Sequence, residues 1–108
     1  MSYNVFTIAY FDKQLKRLIK KYPSLKTEFS ELLSLLKTDP IQGVSIGNGC
    51  YKLRLSIASK NKGKSGGARV ITYVAITESA VFLLSIYDKS EQEDISDKEL
   101  LRLLDIIR

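Results

Sequence analysis

Tyr51-Lys-Leu-Arg-Leu-Ser-Ile57 sets how the rest of the chain reads. Tyr51, Leu53, Leu55 and Ile57 alternate with Lys52, Arg54 and Ser56. A period of two is that of a strand with one face in a core and one face wet. Residues 58–67, rich in Gly, Ser, Lys and Asn, follow as a loop. Residues 68–76 are apolar nearly throughout, as in a central strand, and residues 77–80 turn the chain into a further strand over 81–87. Connections this short make the three strands adjacent antiparallel neighbours.

Working back from that sheet, residues 4–8 form a short opening strand of β-branched and aromatic character. From Phe11, the apolar residues Phe11, Leu15, Leu18, Ile19 and Tyr22 recur at helical spacing, and Pro23 ends the helix. Leu25, Phe29, Leu32, Leu33 and Leu36 form the stripe of a second helix, closed by Asp39-Pro40. The pair predicts an antiparallel helical hairpin with its apolar face on the sheet. Forward of the sheet, Ser96-Asp-Lys-Glu99 has the spacing of a capping box and opens a last helix with Leu100, Leu103, Leu104 and Ile107 inward. The order β-α-α-β-β-β-α predicts an α+β fold, with residues 1–108 as a single domain without repeat or linker.

Composition narrows the chemistry. The 108 residues, 44% of them hydrophobic, suffice for one modest core. No apolar run approaches the roughly 20 residues that span a bilayer. The opening Met1-Ser-Tyr-Asn4 lacks the basic start and apolar centre of a signal peptide, so a cytoplasmic chain away from membranes is expected. Cys50 is the single cysteine and there is no histidine, which leaves neither a zinc ligand set nor a thiol–imidazole pair. No metal or cofactor is expected, and any catalysis must rest on Lys, Arg, Tyr or carboxylates. Cys50 itself reads as a small core residue.

The net charge of +5 is unevenly spread. Residues 40–77 carry six bases (Lys52, Arg54, Lys60, Lys62, Lys64, Arg69) and no acid, whereas from Asp88 onward seven acids face four bases. A one-signed block makes a positive field suited to a polyanion such as nucleic acid, although a solvated face would look the same. Gly63-Lys64-Ser65 ends like a nucleotide-binding P-loop. That motif, however, needs a glycine at position 58, where Ala58 stands, and a helix after the lysine, where Gly66-Gly67 and a strand follow. The loop instead presents Lys60, Lys62 and Lys64 at every second position. Lys52 and Arg54 share one strand face, Arg69 begins the next strand and Lys89 follows the one after.

Three stretches together, Gly49-Cys-Tyr-Lys-Leu-Arg-Leu55, Gly63-Lys-Ser-Gly-Gly-Ala-Arg-Val-Ile71 and Ile86-Tyr-Asp-Lys-Ser-Glu-Gln92, resemble the RelE/ParE superfamily of toxins from type II toxin–antitoxin systems, nearest to the RelE- and HigB-like mRNA interferases. The resemblance spans nearly the whole chain in the same element order. It implies a small twisted antiparallel sheet with an N-terminal helical hairpin on one side and a C-terminal helix. It also implies a ribosome-dependent endoribonuclease that cuts translated mRNA in the A site of the 70S ribosome and is silenced by a cognate antitoxin protein. By position, the family's basic active-site residues fall on Lys52, Arg54, Arg69 and Lys89, with Lys60, Lys62, Lys64 and Tyr73 along the RNA. Where some relatives place a tyrosine this chain has Ile95, leaving Tyr73 and Tyr87 as substitutes. Tyr51 and Tyr73 read equally as partly buried sheet residues.

RNA can be cut by its own 2′-hydroxyl, so in-line geometry, a base, a neutraliser of the developing charge and an acid suffice. Lys52 or Arg54 fits the neighbourhood of the base, since a lysine crowded by cations loses its proton more readily. The guanidinium fork of Arg69 fits the phosphate oxygens, and Lys89 the departing 5′-oxygen. Arg69 could equally pair with a carboxylate of the tail. Two alternatives to this function are a ParE-like poison of DNA gyrase without nuclease chemistry and an inactive antitoxin-binding relative. The acid-rich tail is expected to meet the antitoxin, through the last helix or the adjoining groove, rather than RNA.

Overall fold

The computed structural model describes residues 2–60 and 66–107. Five strands and three helices follow one another as β1 (Asn4–Thr7), α1 (Ala9–Lys21), α2 (Leu25–Thr38), β2 (Val44–Gly47), β3 (Cys50–Leu55), β4 (Ala68–Ala75), β5 (Ala80–Asp88) and α3 (Asp97–Ile107), with one short 3₁₀ turn at Ala58–Lys60. The strands form a single sheet in the order β1-β5-β4-β3-β2. β4 is paired on both edges and is buried at every position except Tyr73, as its continuous apolar sequence requires.

The α+β class and the three central antiparallel strands match the sequence reading, with two differences. Residues 41–50, to which no element was assigned, contain the edge strand β2. It is only four residues long and shares a bulged register with β3, so no alternation has room to develop. The opening strand lies parallel to β5, which makes the sheet mixed rather than wholly antiparallel. Pairing between the two ends of the chain leaves no local pattern.

Both predicted helices of the hairpin end where the backbone demands it. The Tyr22 amide donates to the Leu18 carbonyl (2.7 Å) immediately before Pro23, and the Asp39 amide donates to the Leu35 carbonyl (2.8 Å) before Pro40. Phe11 and Leu18 of α1 and Leu25, Leu32 and Leu36 of α2 enter one core with Leu53, Val70 and Ile86 of the sheet. A bulge in the β4–β5 ladder between Ile71 and Thr72 interrupts the pairing. Gln14 of α1 mends it, its Oε1 accepting from the Ile86 amide at 3.0 Å and the Ser85 hydroxyl at 3.2 Å. At the far end, the Ser96 hydroxyl accepts from the Glu99 amide (3.1 Å), and Leu100, Leu103 and Leu104 are buried beneath α3.

Gly43 lets β2 lie against β3. Its φ is +83°, and a Cβ there would stand 2.2 Å from the Lys52 carbonyl oxygen. Gly43→Ala is therefore expected to destabilise the fold by about 2 kcal/mol or more, the left-handed backbone alone costing ~1–2 kcal/mol. Urea unfolding checks this, and a midpoint equal to that of the parent would contradict it.

Candidate phosphate-binding groove

The β3–β4–β5 register builds the site. Arg54 lies opposite Arg69, and Arg69 opposite Tyr87, so these three side chains form one row across three strands. Lys52 lies two residues from Arg54 on the same face of β3, and Lys89 follows directly on β5. A groove of about 910 Å³ opens there between α2, β3 and the segment after β5, and Lys52, Arg54, Arg69 and Lys89 all line it. Four cations that the sequence spreads over 38 positions thus share one wall.

They differ in freedom. Arg69 is buried, with 6% of its surface exposed, and its Nη1 donates to the Ala68 carbonyl at 3.3 Å. Arg54 is exposed. Lys52 donates to Asp94 at 3.0 Å, while Lys89 donates to the Glu93 carbonyl at 3.2 Å and lies 3.8 Å from the Glu93 carboxylate. The Asp94 carboxyl is held below its usual range by the Lys52 bond, and next by the Ile95 amide. Beside Arg69 in the same row, the Tyr87 phenol oxygen is buried without a hydrogen-bond partner among the described residues. Burial, and then the nearby Asp94 charge, push its pKa up to about 12, so it is a neutral hydroxyl at physiological pH.

Two residues expected along the RNA do not line this groove. Lys60 is buried in an ion pair with Asp88 and sits 5.5 Å from the centre of the Tyr22 ring, so its charge is already matched inside the protein. Asp88 also accepts from Tyr22 (2.8 Å) and from the Ser90 amide (2.9 Å) and hydroxyl (2.7 Å). Burial by itself would raise the Asp88 pKa, but the bonds from Lys60, Ser90 and Tyr22 outweigh that and hold it well below the usual carboxylate range. Tyr73 pairs in register with Cys50 near the β2–β3 turn, its ring 6.2 Å from that of Phe82, four residues along β4 from Arg69. It does not line the groove. Lys62 and Lys64 lie outside the described residues. Ile95 is half-buried and packs on the core.

Sequence reasoning weighed a tail carboxylate as a partner for Arg69 alone and did not foresee Asp94 and Glu93 as partners of Lys52 and Lys89. The one available signal was the change of charge sign after Asp88, which identifies no pair. Among the described residues no group of three or more His, Cys, Asp or Glu is placed to hold a metal ion, and no helix is long and apolar enough to cross a membrane.

Comparison with known proteins places this geometry in context. A family model described as the RelE toxin of the RelE/RelB toxin–antitoxin system matches residues 4–106. An arginine-substituted mutant of Escherichia coli toxin RelE in the free state is similar in structure with a TM-score of 0.63 and 19% identity, each chain covered over 100% of its length. The toxin of the intact E. coli RelBE toxin–antitoxin complex is similar at 0.52 and 20% identity, over 81% of this chain and 96% of that one. The RelBE2 toxin–antitoxin complex of Mycobacterium tuberculosis gives 0.55 and 14% identity, over 82% and 92%. At these identities the likeness concerns the fold.

Proposed function

The chain belongs to the RelE toxin family of toxin–antitoxin systems, and from that premise we propose that it is a ribosome-dependent endoribonuclease that cuts translated mRNA. One observation carries the reading: Lys52 and Arg54 of β3, Arg69 of β4 and Lys89 just after β5 converge on one groove in a chain without histidine. Such a wall suits a substrate whose every residue bears a phosphate.

In the proposed reaction the RNA 2′-oxygen attacks the adjacent phosphorus as the bond from phosphorus to the 5′-oxygen breaks. The products are a 2′,3′-cyclic phosphate and a free 5′-hydroxyl. Lys52 or Arg54 stands where the 2′-proton leaves, and Lys89 is the group to protonate the departing 5′-oxygen. Arg69 meets the charge that develops on the equatorial oxygens.

The A-site mRNA, the 70S ribosome and a cognate antitoxin are the proposed partners. Solved relatives include toxins in complex with their antitoxins. On this chain α3 leaves Leu101 and Ile106 exposed on the two flanks of its buried stripe, apolar side chains available to such a partner. The decisive test is induction of the chain followed by mapping of mRNA 5′-ends on translating ribosomes. Codon-phased cuts that vanish in Arg69→Ala are expected. Intact mRNA with trapped gyrase–DNA complexes would overturn the reading.

A further inference from the structure

The groove is lined by the protein's own anions as well as by its cations. After β5 the chain does not run off into solvent but is tied down step by step. The Glu91 and Gln92 amides each donate to the Asp88 carbonyl at 3.0 Å, and the Glu91 carboxylate is gripped by Arg17 (2.9 Å) and Lys21 (3.4 Å) of α1. The Gln92 side chain donates to the Asp94 carbonyl (3.0 Å), and the Asp94 carboxylate accepts from the Ile95 amide (2.8 Å). Anchored at both ends, this strap places Glu93 against Lys89 and Asp94 against Lys52, and both acids line the groove with the four cations.

We propose that residues 91–95 are an intramolecular substrate mimic, in which the Glu93 and Asp94 carboxylates occupy Lys89 and Lys52 until an RNA backbone displaces them. The proposal rests on the reading of the groove as a phosphate site. A carboxylate and a phosphate offer a lysine the same chemistry, anionic oxygens at hydrogen-bond distance, so the two compete for one ammonium. Both carboxylates are exposed, Asp94 by 59% and Glu93 by 93% of the side chain, and exposed ion pairs are weak. The strap therefore tunes affinity rather than locking the site. It disfavours stray single anions and yields to a polyanion that engages several cations at once.

The test is binding of a short single-stranded RNA, uncleavable because of a 2′-deoxy linkage, to the purified chain in fluorescence anisotropy at fixed salt. Asp94→Asn is expected to tighten binding about three- to fivefold. Glu78→Gln, which removes the same charge from the β4–β5 turn, is the control for net charge and is expected to change binding less than twofold. In a Lys52→Gln background the gain from Asp94→Asn should vanish, because the competition runs through that ammonium. Equal or weaker binding by Asp94→Asn, or a gain that survives Lys52→Gln, overturns the strap. Arg69→Ala separates the two proposals. If it abolishes binding while Asp94→Asn gains nothing, the strap alone fails; if it leaves binding unchanged, the groove reading and the strap fail together.

Discussion

Arg69→Ala is expected to slow mRNA cleavage on translating ribosomes about 100- to 1,000-fold, the loss typical of one preorganised donor aimed at a developing oxyanion. The burial of Arg69 sets this expectation. Its guanidinium is held within a strand paired on both sides and is fixed further by the Ala68 carbonyl, so little reorganisation is needed when charge builds on the phosphate. Arg54, exposed one strand away, has no such support and should lose less on the same substitution. Arg69→Lys keeps the charge but not the two-pronged donor, and should recover only part of the rate. Single-turnover formation of new 5′-ends, with thermal melting to verify the fold, measures this. A folded Arg69→Ala protein cutting within about fivefold of the parent would remove Arg69 from the proposed chemistry.

The second large effect concerns stability. Asp88→Asn is expected to cost about 3–5 kcal/mol, because it leaves the buried Lys60 ammonium uncompensated. Urea unfolding at neutral pH reads this directly. Substituting Lys60→Met along with Asp88→Asn should recover more than half of the loss, since the orphaned charge is then gone while the Asn carbonyl still accepts from Ser90 and its amide can donate to the Tyr22 hydroxyl oxygen. Failure of the double variant to recover would show that the hydrogen bonds, not the charge pair, dominate. The pH dependence has a definite sign. The folded pKa of Asp88 lies below its unfolded value of about 3.9, so its contribution is complete above that pH and is lost as pH falls further toward the folded value. The parent should show this acid limb and Asp88→Asn should lack it.

The burial of Lys60 illustrates where reading a sequence reaches its end. In the string it is the first of three evenly spaced lysines in a polar loop, indistinguishable from a solvated charge. Its fate is decided by Asp88, 28 residues away, and by the Tyr22 ring at the end of α1. Tyr73 shows the same for position along a strand. Being on β4 with Arg69 was legible, but its pairing with Cys50 puts it near the β2–β3 turn rather than in the groove.

What the sequence determined by itself follows from local periodicity and local chemistry. The two-residue alternation of β3, the apolar run of β4, the helical stripes of α1 and α2 bounded by Pro23 and Pro40, and the Ser96 cap of α3 are each written within a few turns of chain, where backbone geometry makes side-chain spacing informative. The four cations of the groove were legible too, because their strand phase aligned them once the strands paired. Only the tertiary structure decided the rest: the parallel union of β1 with β5, the edge strand β2, the neutral Tyr87 hydroxyl beside Arg69, and the acidic strap that lines the groove. Each of these depends on which distant segments meet and at what depth, and burial sets both the strength of a charge and the partner it takes.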